Sequence, residues 1–205
     1  MTILQGLKII DRAELPHPEW EFVRTSKDLL PRQGRLGYKR FPKIKDYVGW
    51  TIRTVDIING PWENLYVNRL PKKQVPGKVD EFQKRLRGRA LFVIYPSWKW
   101  KRAGTLLIEK DRVVIEAIRG AIVDLMRHGK VEGAYYFNTA LKLVSTVGDA
   151  RVITLTERKK ILQAVRKIRQ KNVILEWGIT TQNKFIFYRI EDIREAGKLL
   201  LKKYS

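Results

Sequence analysis

The stretch 110–128, KDRVVIEAIRGAIVDLMRH, decides how the second half of the chain is read. Val114, Ala117, Ile118, Ala121, Ile122 and Leu125 recur at three- and four-residue spacing, the period of an amphipathic helix. Asp111, Glu116 and Asp124 fall on the polar side of that helix and disfavour an anionic bilayer as its partner. Gly129 supplies a stop. Working outward, 132–147 puts Tyr135, Asn138, Leu141 and Val144 in helical register, and Gly148-Asp149 ends it.

The next signal is Thr154-Leu155-Thr156-Glu157, which fits a capping box with Thr154 as N-cap and Glu157 reaching back. The helix it opens runs to about Lys171, with Ile161, Leu162, Val165 and Ile168 as its apolar face. Arg158, Lys159, Lys160, Arg166, Lys167, Arg169 and Lys171 cover the remainder. Seven cations with one acid depart from a merely solubilising surface, which mixes signs. Two β-rich runs follow, VILEWGI (173–179) and KFIFYRI (184–190), around the polar tip TTQN, and read as a hairpin spanning 173–190. Glu191-Asp192 opens a last helix that buries Ile193, Ala196 and Leu200.

Towards the N-terminus the chain is basic and broken by proline and glycine. Residues 69–102, RLPKKQVPGKVDEFQKRLRGRALFVIYPSWKWKR, hold eleven Lys or Arg against Asp80 and Glu81, interleaved with Phe82, Phe92, Tyr95, Trp98 and Trp100. Cations beside flat rings can neutralise phosphates and lie against sugars or bases. Val79, Phe82, Leu86 and Ala90 mark a helix inside this stretch, and ALFVIY (90–95) continues it or forms a buried strand. A second basic stretch, 24–45, has eight cations and one acid, Asp28. Between the two, 50–58 alternates as a strand and Asn59-Gly60-Pro61 is a turn. Pro16 and Pro18 keep the end of the opening segment, 1–22, extended.

Composition sets the function classes. The chain has 205 residues, 44% hydrophobic content, 31% charged residues and a formal charge of +21. Residues 1–105 carry 22 basic and 10 acidic groups, and 106–205 carry 20 and 11, so the excess is spread along the chain. Such a charge calls for a polyanion, and its spread favours contact along the partner's length over a single pocket. The absence of cysteine removes disulfides, thiolate metal sites and cysteine nucleophiles. No apolar run reaches membrane-spanning length and the start lacks the pattern of a signal peptide, so an intracellular (nucleoid) or virion location is expected. High charge with few methionines leans towards a thermophilic source.

Enzyme signatures are sparse. His17 and His128 do not make a histidine-rich metal site, and neither a GxxxxGK[ST] nor a GxGxxG opening a helix is present. Asp56 with Glu63, or Glu109 with Lys110 and Asp111, are the sets nearest to a nuclease cluster, and they read as turn and helix-start residues. Tyr204 with Arg127-His128 lacks the spacing of a tyrosine recombinase. No cofactor is expected.

The basic helix 156–171, the hairpin and the further helix resemble the end of a winged-helix DNA-binding domain over residues 110–203. That resemblance implies a recognition helix at 156–171 and a wing tip at Thr180–Lys184. The 148–154 connection is longer than the turn of a helix-turn-helix. The whole layout resembles the coat proteins of filamentous and rod-shaped archaeal viruses, which implies basic N-terminal segments wrapping double-stranded DNA and a helical domain facing outward.

The fold expected is α-rich α+β, with a basic, partly extended N-terminal region (1–105) and a compact helical C-terminal domain (106–205) with one β-hairpin. The function expected is non-enzymatic coating or packaging of double-stranded DNA (RNA not excluded) by a self-associating protein. A sequence-specific winged-helix regulator is the alternative, and a nuclease or recombinase component the third reading. The contacts expected are Arg24, Lys27, Arg32, Arg35, Lys39, Arg40, Lys43, Lys45, Lys72, Lys73, Lys84, Arg85, Arg87, Arg89, Trp98, Lys99, Trp100, Lys101, Arg102, Arg158, Lys159, Arg166 and Arg169.

Overall fold

The computed structural model describes residues 1–29, 47–60 and 63–193, apart from the side chains of Tyr47, Asp124, Met126 and Arg127. The chain divides into two compact units, one formed by Met1–His17 with Trp100–Ser205, the other by Pro18–Lys99.

The unit 18–99 is a four-stranded antiparallel sheet of β1 (Glu21–Val23), β2 (Tyr47–Ile57), β3 (Tyr66–Leu70) and β4 (Ala90–Trp98), in the order β1-β4-β2-β3. The helix read inside the basic stretch begins earlier than its apolar spacing indicates, at α2 (Val75–Arg85), because Pro76 sits in the first turn where no backbone bond is lost. Val75, Val79, Phe82 and Leu86 bury against Trp50, Ile52, Phe92 and Ile94. The segment expected to be extended and DNA-wrapping therefore has its own hydrophobic core.

The other unit begins with α1 (Ile3–Arg12), a helix that the sequence reading did not assign; Thr2 and Gln5 close a capping box at its start. Its sheet has six antiparallel strands: β5 (Trp100–Ile108), β6 (Arg112–Arg119), β7 (Gly133–Asn138), β8 (Leu143–Gly148), β9 (Val173–Thr180) and β10 (Phe185–Asp192). Their order is β10-β9-β5-β6-β7-β8. Two helices complete it, α3 (Val123–His128) and α4 (Leu155–Lys167).

This overturns the α-rich expectation. The stretch 110–128 is a turn, strand β6 and the short α3, and 132–147 is the pair β7–β8. Val113, Val114, Ile115, Ala117 and Ile118 are all buried, so both faces of β6 lie inside. A strand covered on both sides does not alternate, and an apolar run with one charge then mimics helical spacing. Two expectations hold. Thr154 and Glu157 form the capping box of α4, and 173–190 is an antiparallel hairpin. Glu191 and Asp192, expected to open a last helix, instead close β10; the rest of that expected helix, 194–205, lies outside the described residues.

Candidate functional site

The two faces of the six-stranded sheet differ in chemistry. Leu106, Ile108, Ile115, Tyr135, Leu175, Trp177, Ile179 and Ile190 are buried on one face, where α4 and its preceding loop attach. Arg102 on that side pairs with Glu157 at 2.7 Å, and the Tyr135 hydroxyl accepts from the Ile153 N–H at 3.3 Å.

On the opposite face a polar row crosses four neighbouring strands. Register places Arg189 of β10 beside Glu176 of β9, Glu176 beside Thr105 of β5, and Thr105 beside Glu116 of β6. Partners in antiparallel register point to the same face. Arg189 Nη1 donates to Glu176 Oε1 at 3.0 Å and Arg189 Nε pairs with Glu191. The Thr105 hydroxyl donates to Glu116 Oε2 at 2.7 Å. The side chains of Arg189, Glu176 and Glu191 are 17%, 9% and 13% exposed, so these charges are largely removed from water. Charges buried in a cluster carry a desolvation cost and mark a candidate site.

A β-bulge sets the row. Between Phe187, opposite Trp177, and Arg189, opposite Glu176, the register shifts by one residue, and Tyr188 is the extra one. Bulges re-aim side chains. Here Phe187 stays in the apolar core while Tyr188 meets the ring of Trp100 at 5.5 Å. Trp100 lies over Gly178, where a Cβ would collide with the indole, so this position takes glycine for close approach.

The described members of the expected contact set fall in both units. Arg32, Arg35, Lys39, Arg40, Lys43 and Lys45 lie outside the described residues. Arg24 and Lys27 are exposed after β1, Lys72 and Lys73 before α2, and Lys84, Arg85 and Arg87 at its end, with Arg85 paired to Glu63. Arg89 donates to the Asn59 carbonyl at 3.0 Å. Trp98 is 3% exposed and belongs to a core, whereas Lys99 is exposed. Lys101 holds Asn183 of the hairpin tip at 2.8 Å. Arg102 is committed to Glu157, and Arg158 lies over the Tyr135 ring at 4.9 Å. Lys159 and Arg166 are exposed on α4, and Arg169 beyond its end.

Glu116, Glu176, Arg189 and Glu191 were absent from the expected site. The signal for three of them was present: each is a lone charge inside an apolar run, VVIEAI, VILEWGI and FIFYRI, and buried charges are rare unless paired. The acid sets weighed for a nuclease are local instead. Glu109 pairs with Arg112 across the β5–β6 turn, and Asp56 accepts from the Ile57 N–H at 3.0 Å.

No family model matches the chain and no curated protein matches it. Solved structures do, and they are ATP-grasp ligases. An ADP complex of N5-carboxyaminoimidazole ribonucleotide synthetase aligns with a TM-score of 0.53 and 10% identity, covering 93% of this chain and 44% of that one. An L-amino acid ligase from Bacillus licheniformis gives 0.53 and 13%, covering 96% and 44%. D-alanyl-alanine synthetase A from Vibrio cholerae gives 0.51 and 9%, covering 91% and 54%. The chain spans about half the length of these structures. Over that shared part its fold is ATP-grasp-like.

That fold corrects the expectations of a non-enzymatic DNA coat or nucleoprotein and of double-stranded DNA as partner, and it lends no support to a nucleoid or virion location. The winged-helix reading fails on topology as well. What precedes α4 is the β7–β8 pair rather than a helix, and the supposed wing is built into the sheet, with β9 bonded to β5 as well as β10. Charge misled because it reports surface composition and association, not fold. No helix among the described residues is long and apolar enough to cross a membrane.

Enzymes that use a nucleoside triphosphate take its phosphates with Mg²⁺, which keeps one or two protein carboxylates. The acids of the polar row do not fit that demand. Glu176 and Glu191 close on Arg189, and Glu116 takes the Thr105 hydroxyl. Arg189 takes one oxygen each of Glu176 and Glu191, and its fixed positive charge beside them repels a second cation. Among the described residues there is no group of three or more His, Cys, Asp or Glu able to hold a metal.

Proposed function

We propose that the chain is the nucleotide-binding part of an ATP-dependent ligase, with the polar face of its six-stranded sheet turned to the ligand. The observation that carries this reading is the buried row Arg189–Glu176–Thr105–Glu116 on a fold shared with ADP-binding and amino-acid-joining ligases. A sheet that needed only to fold would fill those positions with apolar residues, because buried charges stabilise less than packed side chains. The reaction class is activation of a carboxylate by ATP and its capture by an amine. Within it the row orients the nucleotide, and its charges act in a site partly withdrawn from water, where electrostatic interactions are stronger.

The test is nucleotide turnover. Purified protein is mixed with ATP and pools of amino acids or short peptides, and ADP release is followed by a coupled assay. Release that depends on an added carboxylate-bearing substrate is the expected result. ATP consumption that no added substrate changes, or none at all with every pool, contradicts ligation.

A further inference from the structure

We infer that Arg189 stands where the acid pair would otherwise hold a divalent cation, so that the chain binds its nucleotide without a protein-held metal. The inference rests on the nucleotide-binding reading above and adds how the phosphate charge is met. Three observations carry it. Arg189 pairs with both Glu176 and Glu191, and all three side chains are largely buried. The bulge at Tyr188 aims Arg189 to the face that carries Glu176, which plain alternation after Phe187 would not do. Glu116, the remaining acid of the row, is engaged by Thr105.

A guanidinium is always protonated and presents five donors in a plane, so it can bridge two carboxylates and still direct N–H groups towards a phosphate. Unlike Mg²⁺, it brings no exchangeable water and is not removed by a chelator. The carboxylates then serve as braces for Arg189 rather than as metal ligands. Their charges also set a sign: Glu176→Gln removes a negative charge beside the phosphates while its amide oxygen still accepts from Arg189. It therefore strengthens nucleotide binding, whereas loss of a metal ligand would weaken it.

ATP affinity of the full chain is measured by calorimetry in EDTA and in excess Mg²⁺, and Mn²⁺ binding to the nucleotide-free protein by the electron paramagnetic resonance of free Mn²⁺. The expected results are ATP affinities that agree within about threefold in the two media, no stoichiometric Mn²⁺ site on the wild type, and tighter ATP binding by Glu176→Gln. A Mn²⁺ site that Glu176→Gln abolishes, or ATP binding seen only with Mg²⁺, overturns the inference and leaves nucleotide binding standing. No ATP binding in either medium overturns both. The wild-type measurements decide the matter even if the Glu176→Gln protein fails to fold.

Discussion

At the residue scale, a few charges have partners fixed by register, and breaking one of these pairs leaves a charge uncompensated. Removing Arg189 takes from Glu176 and Glu191, both largely buried, the guanidinium that each pairs with. Breaking one side of a buried ion pair costs about 3–5 kcal/mol, whereas an apolar replacement of the whole group is often neutral. Arg189→Ala should therefore destabilise by about 3 kcal/mol in urea unfolding, with the triple change Arg189→Met, Glu176→Leu, Glu191→Leu recovering most of the loss. Equal destabilisation in both proteins would show that packing, not charge, holds the row. A second charge group is exposed. Hydrogen bonding from Arg119, then from the Arg151 backbone, holds the Asp149 carboxyl below its ordinary value of 3.8. A depressed carboxylate contributes stability that is full above its unfolded value and is lost as pH falls through the folded one. Asp149→Asn should therefore lower the melting temperature in the neutral region and flatten the acid side of the profile, so that variant and wild type converge below about pH 4. An unaltered acid limb would argue against the Arg119 contact.

At the element scale, backbone contact and capping decide which segments form. Gly104 on β5 has no room for a side chain: a Cβ would strike the Glu116 carbonyl and come within 2.6 Å of the Trp177 ring. Overpacking of this kind costs about 1–3 kcal/mol or more, so Gly104→Ala should part β5 from β6, read as early exchange of amides in both strands. Thr154→Ala removes the N-cap of α4 and should cost about 1 kcal/mol, measured by the urea midpoint. How far such elements were legible depends on where their information lies. The α4 cap and the hairpin around TTQN are local signals, written within a few neighbouring residues, and both are found. Strand β6 is not local. Its VVIEAI run lies between β5 and β7 with most of its side chains on both faces buried, and only the register of those neighbours distinguishes it from a helix. The site was hidden for the same reason. Glu176, Arg189 and Glu116 are visible as lone charges in three apolar runs, but 73 residues separate Arg189 from Glu116 in sequence, and only the strand order β10-β9-β5-β6 brings them into one row.

At the scale of the whole molecule, a formal charge of +21 spread over both halves reads most simply as a polyanion binder. The fold redirects that reading, since several of the described cations pair with acids of the chain, as Arg102 does with Glu157, Arg119 with Glu132 and Asp149, and Arg189 with Glu176. The charge that remains on the surface still favours anionic ligands through long-range attraction, and that attraction weakens with salt. Because the row is shielded, its contribution to nucleotide binding should persist as ionic strength rises, while any nonspecific anion uptake fades. The measurement that tests the central claim most directly is a calorimetric titration of ATP into the purified chain at high salt, with ADP and inorganic triphosphate as comparisons. The account predicts saturable binding at one site per chain, retained at high salt and competed by ADP. Heats that never saturate, or that vanish as salt rises and are matched by inorganic triphosphate, would contradict it.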